Sequence, residues 1–114
     1  MESRVCLIRP ENFSREVLLE TRPVLLVCTV QDDSYARQMK VLENVAQTYE
    51  KELKVGLLAQ DSTEIFKRKL NIAGTPTLLL MRAGREINRI LGVTDLETLI
   101  ALLDRHLLSE PREV

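Results

Sequence analysis

The residue types that could carry covalent, metal or proton-transfer chemistry in this chain are few and scattered. There are two cysteines, Cys6 and Cys28, one histidine, His106, and a pair of adjacent carboxylates, Asp32 and Asp33. Dithiol chemistry needs a thiolate that attacks a disulfide and a second thiol that resolves the mixed species. Cys6 and Cys28 do not form a short-spaced pair. Cys28 also lies inside the apolar run from Val24 to Val30, where its thiolate would be desolvated and the side chain behaves as a small buried hydrophobe. Two adjacent carboxylates could serve as an acid–base pair or hold a cation. No histidine lies near Asp32 and Asp33 in sequence, and His106 falls on the last helical pattern. The expectation is therefore no metal and no cofactor, with His106 an exposed residue near a helix C-terminus, where partial positive charge is favourable. The plainer role for Asp32 and Asp33 is to cap the following helix, with Asp33 pairing to Arg37 four residues on. The sharper role is for Asp32 to contact a partner.

The elements that must position these groups are legible from apolar spacing. Arg4 to Ile8 reads as a short strand ended by Arg9-Pro10. Asn12 is a candidate cap for a brief helix with Phe13, Val17 and Leu18 on one face. Val24 to Val30 has the unbroken apolar character of a strand covered on both faces. Tyr35, Met39, Leu42, Val45, Ala46 and Tyr49 recur at helical spacing, predicting a helix to about Glu50. Val55 to Leu58 is a further buried strand. Asp61 and Glu64, with Ser62 as a competing cap, open a short helix carrying Ile65, Phe66 and Leu70. After the turn Ala73-Gly74-Thr75-Pro76, Thr77 to Arg82 and Glu86 to Leu91 form a hairpin through Ala83-Gly84. Thr94 and Glu97 form a capping box for a final helix with Leu96, Leu99, Ile100, Leu102, Leu103 and Leu107. Gly74, Gly84 and Gly92 mark turns and a strand end and do not form a phosphate cradle.

Bulk properties narrow the function classes. The chain has 114 residues, 45% apolar and 29% charged, with a formal net charge of −1. That is enough apolar material for one core without disulfide or metal staples. A near-neutral balance argues against nucleic acid or an anionic membrane as partner. Lys67-Arg68-Lys69, flanked by apolar helix residues, reads as a solvated helix face. The opening residues carry no secretory pattern, the apolar runs are too short to span a bilayer, and unpaired cysteines fit a reducing compartment. A cytoplasmic location is the simplest expectation. The expected organisation is one domain over residues 1–108 and a polar tail over residues 109–114.

The order strand, helix, strand, helix, strand, helix, hairpin, helix implies a mixed α/β sheet between helices. It resembles the thioredoxin fold from about Asn12 to Leu107. The strongest piece runs from Asn71 to Glu86, where Gly74-Thr75-Pro76-Thr77 and the strand ending at Ala83-Gly84 are similar to the thioredoxin cis-proline segment. Gly92 falls where thioredoxins place a glycine in the last strand, and Val24 to Tyr49 resembles their central strand and long helix. The resemblance implies a mixed sheet of about five strands flanked by about four helices. It also implies a cis bond before Pro76, with Thr75 offering one N–H and one C=O to an extended peptide.

The departure is at the chemistry. Asp32-Asp33-Ser34-Tyr35 stand where redox-active relatives carry Cys-x-x-Cys. Leu26 replaces their buried acid, and the chain has no tryptophan. Carboxylate and phenol can neither attack nor resolve a disulfide. The leading expectation is a redox-inactive thioredoxin-like module with no catalytic residue, binding a protein or peptide at Asp32, Asp33, Ser34, Tyr35, Thr75 and Pro76. Tyr35 is either a core aromatic or a partly exposed phenol beside Thr75, and Pro76 either serves docking or only shapes the turn. Two alternatives stand beside this: a thiol-dependent oxidoreductase or redox sensor using Cys28 or Cys6, and a dimerisation or assembly domain. A Cys6–Cys28 disulfide is not expected, because their strands are not neighbours in this fold. Oligomeric state is left open.

Overall fold

The computed structural model describes residues 3–107, so the polar tail expected over 109–114 lies outside the described residues. Five strands form one sheet: β1 (Val5–Ile8), β2 (Val24–Cys28), β3 (Lys54–Leu58), β4 (Thr77–Arg82) and β5 (Arg85–Leu91), in the spatial order β1-β3-β2-β4-β5. The β1, β3 and β2 strands run parallel, whereas β4 is antiparallel to β2 and β5 to β4. Three α-helices, α1 (Tyr35–Thr48), α2 (Thr63–Lys69) and α3 (Leu96–Leu107), and a single π-helical turn at Ser14–Leu18 supply the covering layers. The expected α/β architecture is the one found.

Every residue of β2 is buried, as its unbroken apolar run requires. Its side chains alternate between two cores. Leu25 and Val27 join Leu42 and Val45 of α1 and Leu99 and Leu103 of α3 on one face. Val24, Leu26 and Cys28 join Phe13, Val17 and Phe66 of α2 on the other. Complete burial of a leucine such as Leu26 contributes roughly 2 kcal/mol, so the sheet is held from both sides. Tyr49 fastens α1 to α3: its hydroxyl donates to Asp104 Oδ1 at 2.6 Å, and burial together with that carboxylate pushes the phenol up to about 12.

Element types agree with the apolar spacing, and the differences lie at the ends. The β2 strand stops at Cys28, and Val30 is already exposed. Helix α1 stops at Thr48. Asn12 is not the cap of the first helical segment. Its Oδ1 accepts the Arg9 N–H at 2.8 Å and its Nδ2 donates to the Leu7 carbonyl at 3.2 Å, tying the chain back onto β1. Of the face expected there, Phe13 and Val17 are buried but Leu18 is 41% exposed. The cap of α3 is Asp95, whose Oδ1 accepts the Thr98 N–H at 2.8 Å. Thr94 instead gives its carbonyl to Gln38 Nε2 of α1 at 2.8 Å. Asp61 does not cap α2 either: it faces Arg9 at 3.4 Å, and Thr63 Oγ1 donates to the Gln60 carbonyl at 2.9 Å. Among the described residues no helix is long and apolar enough to cross a membrane.

Candidate functional site

The site residues named from sequence gather at one end of the sheet, where β2 finishes and β4 begins. Cys28 pairs with Thr77 at the last position of the antiparallel ladder, so the loop after β2 and the turn before β4 leave the sheet at the same end. The chain then turns: Asp32 N–H donates to the Val30 carbonyl at 2.9 Å, which keeps the loop folded over this end. Asp32 Oδ1 accepts from the Ser34 N–H at 3.0 Å and the Ser34 hydroxyl at 2.8 Å. These two bonds, the hydroxyl first, hold the Asp32 carboxyl below the usual carboxylate range. Asp32 therefore shapes the loop leading into α1. Asp33 is exposed and forms no ion pair with Arg37, contrary to expectation; both side chains point into solvent, where such a pair gains little. Tyr35 is half-buried at the first turn of α1.

On the other side of this end, the Thr75–Pro76 peptide is cis. Pro76 is buried, and its carbonyl accepts the Gly92 N–H at 2.8 Å. The Thr77 hydroxyl donates to the Gly74 carbonyl at 2.7 Å, closing the turn from below. Among the described residues, nothing hydrogen-bonds to the N–H or C=O of Thr75. The 73–77 turn, Leu91 and Gly92 enclose a small open cleft of about 190 Å³ with largely apolar walls. Thr75 and Pro76 line this cleft, whereas Asp32, Asp33, Ser34 and Tyr35 stand outside it, on the neighbouring loop. The structure thus brings the six residues to one end without joining them in a single cavity.

Sequence reading missed the far wall. Leu91 is 70% exposed and Val93 49% exposed, flanking Gly92, whose φ of 95° lets the chain leave β5 there. An apolar residue placed at the last position of an edge strand was the available signal. Gln38 was missed too. Its burial on the inner side of α1 follows from its place three residues after Tyr35 and four before Leu42. Through Thr94 it ties the Val93 segment to the helix that starts at the site loop. Its Oε1 is buried without a partner among the described residues.

Neither thiol reaches this surface from an exposed position. Cys28 is 1% exposed, and burial pushes its thiol up, a shift that Lys67 opposes only in part. Cys6 lies on β1, separated from β2 by β3 as the fold expectation required, and both cysteines are free. Burial also raises the Cys6 thiol; Lys54 pulls it down while Glu16, 3.7 Å away, adds to the rise. His106 is not the exposed residue expected: it is half-buried, with its Nε2 3.0 Å from Asn88 Nδ2 and its carbonyl accepting from Arg82 at 3.1 Å. Among the described residues, no three His, Cys, Asp or Glu side chains are grouped to hold a metal ion.

The thioredoxin family model matches residues 4–105 of this chain. A thioredoxin of the red alga Pyropia yezoensis is 25% identical over 97 residues, covering 84% of this chain and 91% of its own. Thioredoxin 1 of Nostoc is 27% identical over 101 residues, covering 88% and 94%. Thioredoxin 1 of Synechococcus elongatus is 28% identical over 97 residues, covering 84% and 91%.

Proposed function

The chain belongs to the thioredoxin family, and from that membership we propose that it works as a binding module for extended peptide segments, without thiol–disulfide exchange of its own. The observation that carries this reading is the composition of the loop at the end of β2. Asp32, Asp33, Ser34 and Tyr35 occupy it, and neither cysteine lines the cleft at Thr75 and Pro76. Exchange needs an accessible thiolate. Cys28, at the end of β2, is sealed in the sheet with its thiol pushed up by burial.

What remains at this end suits docking. Thr75 offers an unengaged N–H and C=O, the pair an added strand uses, and the cleft beside it accepts one small apolar side chain. Leu91 and Val93 add exposed apolar surface of the kind that marks interaction sites when contiguous. Main-chain pairing would supply affinity and the cleft would supply selectivity.

The decisive test is the reduction of insulin disulfides by purified protein with dithiothreitol as electron source. The expected rate equals that of dithiothreitol alone, and Cys28→Ser and Cys6→Ser leave it unchanged. A rate above that baseline which either substitution removes would overturn the reading in favour of a thiol enzyme. Labelling with iodoacetamide at neutral pH is an independent check. Cys28 is expected to stay unmodified until the chain is unfolded, and Cys6 to react more slowly than free cysteine. Binding itself is read by Thr75→Arg, which should abolish capture of partner proteins while leaving the thermal midpoint unchanged.

A further inference from the structure

We infer that the segment seated at this end of the sheet carries a small apolar side chain followed closely by a basic one; this rests on the docking reading above. Three features of the site select that chemistry. The cleft bounded by Pro76 and Leu91, at about 190 Å³ and with mostly apolar walls, takes a valine- or leucine-sized group and offers no charged wall. The Thr75 N–H and C=O fix the segment as an extended strand passing over the cleft. Strand geometry spaces successive residues of such a segment about 3.3 Å apart.

The neighbouring loop is acidic. The β2–β4 ladder ends at the Cys28–Thr77 pair, so Asp32 follows the last paired residue of β2 by four positions and Thr75 precedes that of β4 by two, and the Asp32 N–H bond to Val30 turns the loop back at this end. Among the described residues, Asp33 is exposed and has no ion-pair partner, and Asp32 is engaged only by the neutral Ser34. Of the cations around this end, Lys67, whose charge reaches Cys28, pairs with Glu64 at 3.8 Å. Arg89, on β5 two residues before Leu91, is spent on Glu86 at 2.7 Å and on the Leu70 and Asn71 carbonyls at 3.0 and 2.9 Å. Arg37, exposed on α1, lines a separate depression with Val93 and Asp95. A basic side chain on the segment meets unspent carboxylates, while an acidic one meets like charge, which is how rim charges select between partners of equal shape.

The test uses three synthetic octapeptides of serine and glycine with a central valine–arginine, valine–glutamate or glycine–arginine pair. Each is titrated into the ¹⁵N-labelled full chain at low ionic strength, with amide shifts as the readout. The valine–arginine peptide should move the Thr75, Leu91 and Gly92 amides and bind about five-fold tighter than the valine–glutamate peptide, the size expected of exposed ion pairs. The glycine–arginine peptide should bind more weakly than either. Asp32→Asn with Asp33→Asn keeps the oxygen that anchors Ser34 and should erase the preference without weakening the valine–glutamate peptide. Equal binding of both valine peptides at the same amides overturns the charge selection and leaves the docking reading intact. Stronger binding of the glutamate peptide overturns it and assigns the selection to Arg37. If no peptide moves these amides, the docking reading fails first and the selection with it.

Discussion

Three side chains at the site end of the sheet show how little of a residue's role is decided by its type alone. Asp32 and Asp33 are adjacent and chemically identical, yet Asp32 is held by two bonds from Ser34 and organises the loop, while Asp33 is exposed and has no hydrogen-bond or ion-pair partner among the described residues. Gln38 is a polar residue that α1 turns fully inward, where one end donates to the Thr94 carbonyl and the other, Oε1, has no partner among the described residues. An unpaired buried acceptor costs stability, and a retained one points to a job its other end performs. Here that job is to hold the segment after Gly92 against α1. Gln38→Ala should therefore destabilise by about 2 kcal/mol, from the lost bond, the stranded carbonyl and the void. Gln38→Met fills the void and removes the orphaned oxygen, leaving only the Thr94 carbonyl unpaired, and should cost about 1 kcal/mol. Urea denaturation with an unchanged slope separates the two, and the Val93 and Thr94 amides should move in both.

Elements were legible where apolar periodicity speaks and obscure where neighbouring polar residues compete. The inner stripe of α1 and the unbroken run of β2 could be read directly, because burial on one or both faces leaves a period in the sequence. The caps could not. Thr94 and Asp95 both suit the start of α3, and the choice between them is made by Gln38, a residue 56 positions away that takes the Thr94 carbonyl. Asp61 was likewise drawn off α2 by Arg9, a partner from across the chain. The candidate site was legible only through the resemblance around Thr75-Pro76; its Leu91 wall depends on an edge strand ending beside a turn that follows α2. Two substitutions test the element geometry. Ala83 and Gly84 both have positive φ, 52° and 78°, as a tight turn of the primed type requires. Alanine is poorly suited to that region, so Ala83→Asn should stabilise by roughly 0.5–1 kcal/mol and raise the thermal midpoint by several degrees. In β3, a Cβ added at Gly56 would stand 2.8 Å from Ile8 Cγ1 and 3.2 Å from Leu26 Cδ2. Both neighbours are fully buried and have nowhere to move, so Gly56→Ala should cost about 1–3 kcal/mol.

Taken whole, the molecule separates its polar fastening from its docking end. At the starts of β2 and β3, opposite the Pro76 cleft, Lys54 of β3 is 13% exposed and lies between Glu16 and Glu20, with Arg22 2.8 Å from Glu20. This cluster joins the π-helical turn to the sheet. Arg22, with a smaller contribution from Lys54, holds the Glu20 carboxyl down at about 2, against an ordinary value of 4.5. Between these values the unfolded chain carries a proton on Glu20 that the folded chain lacks, so stability rises with pH across that window. The contribution is complete above about 4.5 and is lost as pH falls toward 2. Glu16, held low by Lys54 and Arg15, and Glu86, held low by Arg89, act with the same sign. Glu20→Gln should therefore lower stability at pH 7, where the charged form is worth most, and narrow the gap between pH 7 and pH 3. Urea midpoints of both proteins at the two pH values measure this. Equal losses on acidification in the two proteins would place the acid sensitivity on other carboxylates. The cluster lies at the far end of the sheet from Thr75, so the same substitution should leave peptide binding at neutral pH unaltered, which separates the part of the molecule that holds the fold from the part that meets a partner.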